Sequence, residues 1–397
     1  MNWRYLVCGV SAVICLLFFG NSIAGHGLEN GLAKTPPMGW NSWNKFGCKK
    51  INEKVVRESA DAMASSGMRD AGYQYVVIDD CWQTERDAAG NIVADPEMFP
   101  SGMKALADYV HGRGLKFGVY TDGGAKTCAG RPGSLGHEYQ DAKQYANWGV
   151  DYLKEDWCYT LPTQSSESSY TLMRDALIAS GRPIVLSICE WGSTKPWLWA
   201  QQVGNLWRAT GDIQDCWACT TTWGATGVTQ IIDQMSGLES YAGPGHWNDP
   251  DILEVGNGGM SIDEDRAHFS MWALFSAPLL AGNDLSNMSN ETKKILLNKE
   301  VIAIDQDALG QQGRRVRESG DLEVWSKQLA DGSRAVVLLN RSAAPARIEV
   351  LWTDLGYPAG LVATVRNLWT ASETQAQKGS YSEQVPSHGV VMVLVKP

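Results

Sequence analysis

Histidine is scarce in this chain, six of 397 residues, and none stands in an H-E-x-x-H or H-x-H spacing. A zinc hydrolase draws its ligands from such pairs, so that chemistry is disfavoured. Basic residues are outnumbered, 34 Lys and Arg against 44 Asp and Glu, for a net charge of −10. No positive field gathers a polyanion, and nucleic acid is not an expected partner. A glycine-rich phosphate loop is missing. Where a doubly wound nucleotide fold would carry one, the chain reads Met38-Gly39-Trp40-Asn41-Ser42-Trp43. Internal repeats and low-complexity linkers are absent too. Long apolar runs are limited to one, Leu6 to Phe19, preceded by Arg4 and followed by Ser22-Ile23-Ala24-Gly25. It is short for a membrane span, and its flanks are those of a removed signal peptide over residues 1–25. The mature chain is expected to be secreted or periplasmic, with no membrane contact once that segment is gone.

Two of the nine cysteines, Cys8 and Cys15, leave with the signal. Cys48, Cys81, Cys128, Cys158, Cys189, Cys216 and Cys219 remain. Export favours disulfides, and an odd count leaves at least one thiol unpaired. Cys216-x-x-Cys219 has neither a second CxxC nor a histidine partner, so zinc is not expected there. Three glycosylation sequons begin at Asn287, Asn290 and Asn340, and they act only in a host that glycosylates. Seventeen tryptophans are present. Indoles fill cores, and they also cover the apolar C–H face of a pyranose.

From residue 26 to 308, β-type runs alternate with helical patterns. Tyr75 to Asp80, Leu115 to Tyr120, Asp151 to Asp156 and Ile184 to Glu190 read as buried strands. Glu53 to Ser66 and Gly102 to Gly112 carry helical periodicity. Repeated β–α alternation implies a parallel sheet. The runs end in Asp, Glu, Trp or Tyr, the layout of a (β/α)8 barrel whose strand ends converge on one face. From 309 to 397 the pattern changes to short β-type runs, Leu322–Leu329, Arg334–Asn340, Ala346–Trp352, Leu361–Leu368 and Val390–Val395, with turns between them. This predicts a second, antiparallel β domain of the sandwich type.

The strand ends carry the chemistry. Trp40 follows the first; Asp79 and Asp80 close the second, Tyr120 and Asp122 the third, Lys154 and Asp156 the fourth. Glu190 and Trp191 close the fifth, Arg208 and Asp212 follow the sixth, and Asp249 and Asp251 the seventh. Carboxylates beside aromatic platforms suit a polyol, because they accept hydrogen bonds from its hydroxyls. Glycoside hydrolysis requires two carboxyl groups flanking one bond, one ionised and one holding a proton. Lys154 and Asp156 sit two apart on a strand and share a face, so the ammonium is expected to keep Asp156 ionised. Arg208, four residues before Asp212, is placed to order it or to hold a substrate hydroxyl.

Several segments now resemble one family. Pro36-Pro-Met-Gly-Trp-Asn-Ser-Trp43, Ile78-Asp-Asp-Cys-Trp82, Lys126-Thr-Cys-Ala-Gly130, Cys189-Glu-Trp-Gly192, Trp207-Arg208 with Thr210-Gly-Asp-Ile213, and Gly245-His-Trp-Asn-Asp-Pro-Asp251 are similar to glycoside hydrolase family 27, the α-galactosidases. The similarity spans about residues 30 to 307, more loosely the remainder. It implies a barrel followed by a β-sandwich, and retaining, cofactor-free removal of terminal α-galactose. By motif position Asp156 would be the nucleophile and Asp212 the acid/base. Trp40, Asp79, Asp80, Tyr120, Cys128, Lys154, Cys158, Glu190, Trp191, Arg208 and Asp251 would line the galactose pocket. Cys128–Cys158, beside the nucleophile, and Cys48–Cys81 would be disulfides. In a retaining enzyme the two carboxyls lie about 5–5.5 Å apart.

The chain departs from the family pattern at Lys154-Glu-Asp-Trp-Cys158, where Tyr and Asn usually flank the nucleophile. It departs also at Ile252, usually Met, and at the Cys216/Cys219 pair. By alternation Glu155 faces the barrel wall, where a carboxyl needs a partner or a proton. The family also holds α-N-acetylgalactosaminidases and β-L-arabinopyranosidases, and a non-catalytic galactose-binding protein is a further alternative. Glu190, where acetamido-accepting relatives have a small residue, and an intact Asp79-Asp80 pair both favour galactose.

Overall fold

The computed structural model describes residues 30–397; the segment read as a signal peptide lies outside them. Eight short strands form one parallel sheet: β1 (Met38–Asn41), β2 (Tyr75–Val77), β3 (Lys116–Asp122), β4 (Tyr152–Asp156), β5 (Val185–Ile188), β6 (Leu206–Arg208), β7 (Trp247–Asp249) and β8 (Leu279–Ala281). Their order is β8-β1-β2-β3-β4-β5-β6-β7. A parallel bridge between Leu253, just past β7, and Ala281 of β8 joins the two edges, with Leu253 N donating to Leu280 O at 2.8 Å. Closure makes the sheet a (β/α)8 barrel and leaves no strand edge exposed.

Alternation along the strands decides what faces where. Tyr75, Val77, Tyr152, Val185, Leu206 and Trp247 form one apolar cluster filling the lower barrel. Their neighbours Val76, Leu153, Leu186 and Trp207 belong instead to the larger core shared with the helices. On β4 this puts Tyr152, Lys154 and Asp156 on the inward side, with Leu153 and Glu155 facing the helix layer. Helices α1 (Trp43–Lys50), α2 (Glu53–Ser65), α3 (Gly102–His111), α4 (Glu138–Trp148), α5 (Ser166–Ser180), α6 (Val228–Met235) and α7 (Ile262–Leu274) pack around the strands. Between β5 and β6 there are only two 3-10 turns, Pro196–Leu198 and Ala200–Gln202.

The second domain has a six-stranded antiparallel sheet and a separate two-stranded pair, Ala346–Leu351 with Ser380–Val385. Between them lies an apolar core including Val336, Leu338, Val350, Trp352, Val365 and Val393. Helix α7 is the seam between the domains. It starts at a capping box, Glu264 N donating to Ser261 Oγ and Ser261 N to Glu264 Oε2. Trp369 Nε1 donates to Ser270 Oγ on that helix at 3.0 Å, and Phe275 just past it meets Trp325 edge-on at 5.6 Å. No helix among the described residues is long and apolar enough to cross a membrane.

Candidate active site

The carboxyl-terminal strand ends surround one cavity of about 520 Å³. Asp79, Asp80, Tyr120, Cys128, Lys154, Asp156, Trp191, Arg208, Asp212 and Asp251 all line it. Three residues expected at the sugar do not reach it. Trp40 is fully buried; its Nε1 donates to Asn283 O at 2.9 Å, and it meets Phe46 edge-on at 5.9 Å, bracing the wall from behind. Glu190 is also fully buried, Oε2 accepting from Thr194 N at 2.7 Å, and burial pushes its pKa up to about 7. The strand ladder stops at Ile188 and the backbone bends at Trp191 (φ 56°), so alternation no longer governs this pair and the indole takes the cavity side. Glu190 Oε1 is buried without a hydrogen-bond partner. Cys158 is the disulfide partner of Cys128 and stands behind it.

Asp156 sits at the floor. Tyr120 Oη donates to its Oδ2 at 2.9 Å and Trp157 N to its Oδ1 at 3.1 Å. Burial raises its pKa to about 6; the Lys154 charge opposes this, while Asp212 and Asp79 add to it. The Lys154 charge favours the ionised form of Asp156 as expected, though without a direct bond. Lys154 Nζ bonds Asp79 Oδ2 at 2.8 Å and acts on Asp156 only through its field. Asp79 reaches across from the end of β2 and takes the ammonium, since each buried charge pairs with its nearest opposite.

Asp212 stands nearer the rim, its side chain 36% exposed. Arg208 Nη2 donates to Asp212 Oδ1 at 2.9 Å and Gly211 O at 2.8 Å, and lies 3.0 Å from Asp251 Oδ2. Its cation is shared between two acids, while its Nε is buried without a hydrogen-bond partner. Asp251 also accepts from Ile213 N and Ile252 N, both at 2.8 Å, and its pKa is raised by burial to about 6 against the pull of Arg208. Its backbone is left-handed (φ 86°), as is that of Cys81 (φ 79°). Of the two, Asp251 lines the cavity, and backbone strain of this kind clusters at working sites.

The carboxyls that face a substrate are fixed before one arrives. Asp79 Oδ2 also accepts from Asn41 Nδ2 at 2.8 Å, and its Oδ1 from Asp80 N at 2.9 Å. Asp80 accepts from Cys81 N and Ala129 N. Preorganised acceptors lose little entropy on binding a polyol.

Sequence reasoning named Asp122 only as a strand-end carboxyl and passed over several other contributors. Asp122 is buried, its Oδ2 accepting from Cys158 N at 2.9 Å and its Oδ1 from Gly124 N at 2.7 Å. Burial, then the Asp156 charge, pushes its pKa to about 8. It ties the loop after β3 to the chain just past the nucleophile, packed so closely that a Cβ at Gly124 would strike Cys158 O. Trp43, Ile252, Glu254 and Trp223 also line the cavity. Trp223 lies on an irregular loop that no periodicity marks.

The departures at the nucleophile find physical accounts. Glu155 faces the helix layer with neither carboxyl oxygen hydrogen-bonded, and burial, then Asp122, Glu138 and Asp141, pushes its pKa well up. Burial without a partner favours its neutral form, the outcome required of such a carboxyl. Trp157 packs on Tyr170 at 5.3 Å. Cys48–Cys81, Cys128–Cys158 and Cys216–Cys219 are disulfides, and Cys189 is a buried free thiol. Asp122, Cys128 and Cys158 are the one metal-like grouping among the described residues, but the two sulfurs are bonded to each other and offer no thiolate.

Carboxylates, with Lys154 and Arg208 set among them, around a sugar-sized hollow at the mouth of a barrel define a glycoside hydrolase. Residues 35–307 match the family model described as alpha galactosidase A, and residues 319–395 match the alpha galactosidase C-terminal beta sandwich domain. The chain belongs to glycoside hydrolase family 27, the α-galactosidase family. It is 53% identical over 379 residues to alpha-galactosidase A of Cellvibrio japonicus, covering 92% of this chain and 93% of the relative. It is 52% identical over 371 residues to the alpha-galactosidase of Cyamopsis tetragonoloba, covering 93% and 88%. Among solved structures, alpha-galactosidase I of Mortierella vinacea superposes with a TM-score of 0.90 at 40% identity, over 92% of this chain and 98% of that one.

Proposed function

We propose that this protein is a retaining, exo-acting α-galactosidase, with Asp156 as nucleophile and Asp212 as acid/base. One observation carries the reading. The two carboxyls face a single cavity from different settings, Asp156 enclosed at the floor and Asp212 at the semi-open rim. In the first displacement the Asp156 carboxylate attacks the anomeric carbon while Asp212 gives its proton to the departing glycosidic oxygen. In the second, Asp212 takes a proton from water, whose oxygen attacks the same carbon and releases Asp156. Arg208 Nη2, 2.9 Å from Asp212 Oδ1 and 3.0 Å from Asp251 Oδ2, fixes the Asp212 carboxyl at the rim where the glycosidic oxygen departs. Asp79, Asp80, Lys154 and Asp251 receive the sugar hydroxyls. The names of the close relatives support galactose as the sugar, and the occluded floor supports attack on terminal residues.

Secretion belongs to the same proposal. Three disulfides among the described residues favour an oxidising compartment, in accord with the basic residue and apolar run at positions 4–19. The test is hydrolysis of an aryl α-galactoside with product anomers followed by NMR. α-Galactose as first product is expected, with Asp156→Asn and Asp212→Asn each losing nearly all turnover. Inversion at the anomeric carbon, or wild-type rates in either variant, would overturn the assignment.

A further inference from the structure

Asp212 stands on no regular element. The ladder of β6 ends at Arg208, and α6 begins only at Val228. An acid/base residue must hold its proton in line with the glycosidic oxygen, and a misplacement of about 1 Å can cost about 100-fold in rate. What fixes its main chain therefore matters as much as what its carboxyl touches. Thr226 N donates to Asp212 O at 2.9 Å, and Ile213 N, the next residue along, donates to Asp251 Oδ2 at 2.8 Å. Residues 214–217 then run beside 226–229. Gln214 N donates to Thr226 O at 2.8 Å, Val228 N to Cys216 O at 3.1 Å and Thr229 N to Trp217 O at 3.0 Å. Asp212, Trp217 and the start of α6 are one bonded unit.

The second domain holds that unit from outside. His388, in the turn before the last strand (Gly389–Lys396), stacks on the buried Trp217 indole, with centroids 5.6 Å apart and planes inclined by 22°. Its backbone is left-handed (φ 50°), a conformation that persists in such a residue only where the surroundings impose it. They do so from both domains. His388 N donates to Ser342 O at 3.3 Å, and its Nδ1 hydrogen-bonds Glu264 Oε1 at 2.8 Å, on the residue whose other oxygen closes the capping box of α7. Beside it, Arg341 of the second domain grips α6, donating from Nη1 and Nη2 to the two oxygens of Asp233 at 3.0 and 2.8 Å. Neither His388 nor Arg341 lines the cavity, so any effect on the chemistry passes through the unit they hold.

We infer that the second domain is a working part of the active site: His388, by stacking on Trp217, is a positioning residue that keeps Asp212 aligned for proton transfer. The inference rests on Asp212 being the acid/base residue and deepens that reading. Its test compares phenyl α-galactoside with dinitrophenyl α-galactoside. A dinitrophenolate departs without a proton, whereas a phenolate needs one from the acid. The phenyl-to-dinitrophenyl ratio of kcat/KM therefore reads proton donation, and it is independent of how much of a preparation is folded. His388→Ala is expected to lower that ratio about tenfold, equivalent to about 1.4 kcal/mol. His388→Phe should keep most of it, because a flat ring still lies on the indole. An unchanged ratio in His388→Ala, including a parallel fall on both substrates, overturns the assignment. So does an equal loss in His388→Phe, since the stack is then not the link. Asp212→Asn separates the two levels. If it leaves the ratio unchanged, the acid/base reading itself fails; if it lowers the ratio while His388→Ala does not, only the role of His388 fails.

Discussion

Replacing Lys154 by Met should move the acid limb of the pH–rate profile upward. The nucleophile must be ionised, so activity rises with pH as Asp156 loses its proton. In the free enzyme burial holds that carboxyl at about 6, and the Lys154 charge is the largest influence holding it down. Two unit charges about 4 Å apart interact by about 4 kcal/mol at an effective dielectric of about 20. An opposite charge within about 4–6 Å lowers a carboxyl by about 1–3 pH units. Loss of the cation should therefore raise the midpoint of kcat/KM by about one pH unit or more, each unit being about 1.36 kcal/mol. The assay is kcat/KM against pH on an aryl α-galactoside, since that ratio reports the unliganded enzyme. Lys154→Met also strands Asp79, which loses its 2.8 Å partner in a buried setting and should cost about 3–5 kcal/mol of stability. Adding Asp79→Asn should restore that stability. Because Asp79 raises the Asp156 pKa while Lys154 lowers it, the double variant should also bring the midpoint back toward the wild-type value. A midpoint that stays at the wild-type position in Lys154→Met refutes the argument.

Other outcomes follow from the same site. Asp122 and Glu254 are held at about 8, Glu190 and Asp265 at about 7, all by burial first. Free carboxyls ionise near about 4, so between there and the native values the folded state binds more protons than the unfolded chain, and stability falls as pH rises. His268, held near 3 by burial, works in the opposite sense, but only below about 6.5. Tm should therefore fall from pH 6.5 to pH 8.5, and a scanning-calorimetry series showing a rise would contradict this. Glu155→Gln should flatten that slope with little change in turnover, because the side chain faces the wall and burial favours its neutral form; a steeper slope would mean Glu155 is ionised. Cys128→Ser/Cys158→Ser should lower stability by about 2–4 kcal/mol. It should also lower kcat, since the bridge and Asp122 together hold the chain next to Asp156; unchanged kcat would make the bridge purely structural.

Local pattern carried much of this fold. Apolar runs ending in polar groups marked β2 to β5 to within a few residues, and the alternation of β4 put Lys154 and Asp156 on one face and Glu155 on the other. The barrel's eighth strand, Leu279–Ala281, is three residues long and too short to announce itself. In the second domain the strands Arg314–Ser319, Glu373–Lys378 and Ser380–Val385 went unread, because their residues are mostly polar and half-exposed and show little contrast between faces.

What the sequence by itself determined was the class of chemistry: carboxylates at successive strand ends, and motifs in the order a family 27 barrel requires. Tertiary structure alone decided the pairings. Lys154 found Asp79 rather than Asp156, and Arg208 split between Asp212 and Asp251. Glu190 and Trp40 went into the walls, and Cys216 closed on Cys219. Periodicity along a chain specifies which side of an element a residue faces. Which charge lies nearest, and how much water it keeps, depends on the other strands brought around it when the barrel closes.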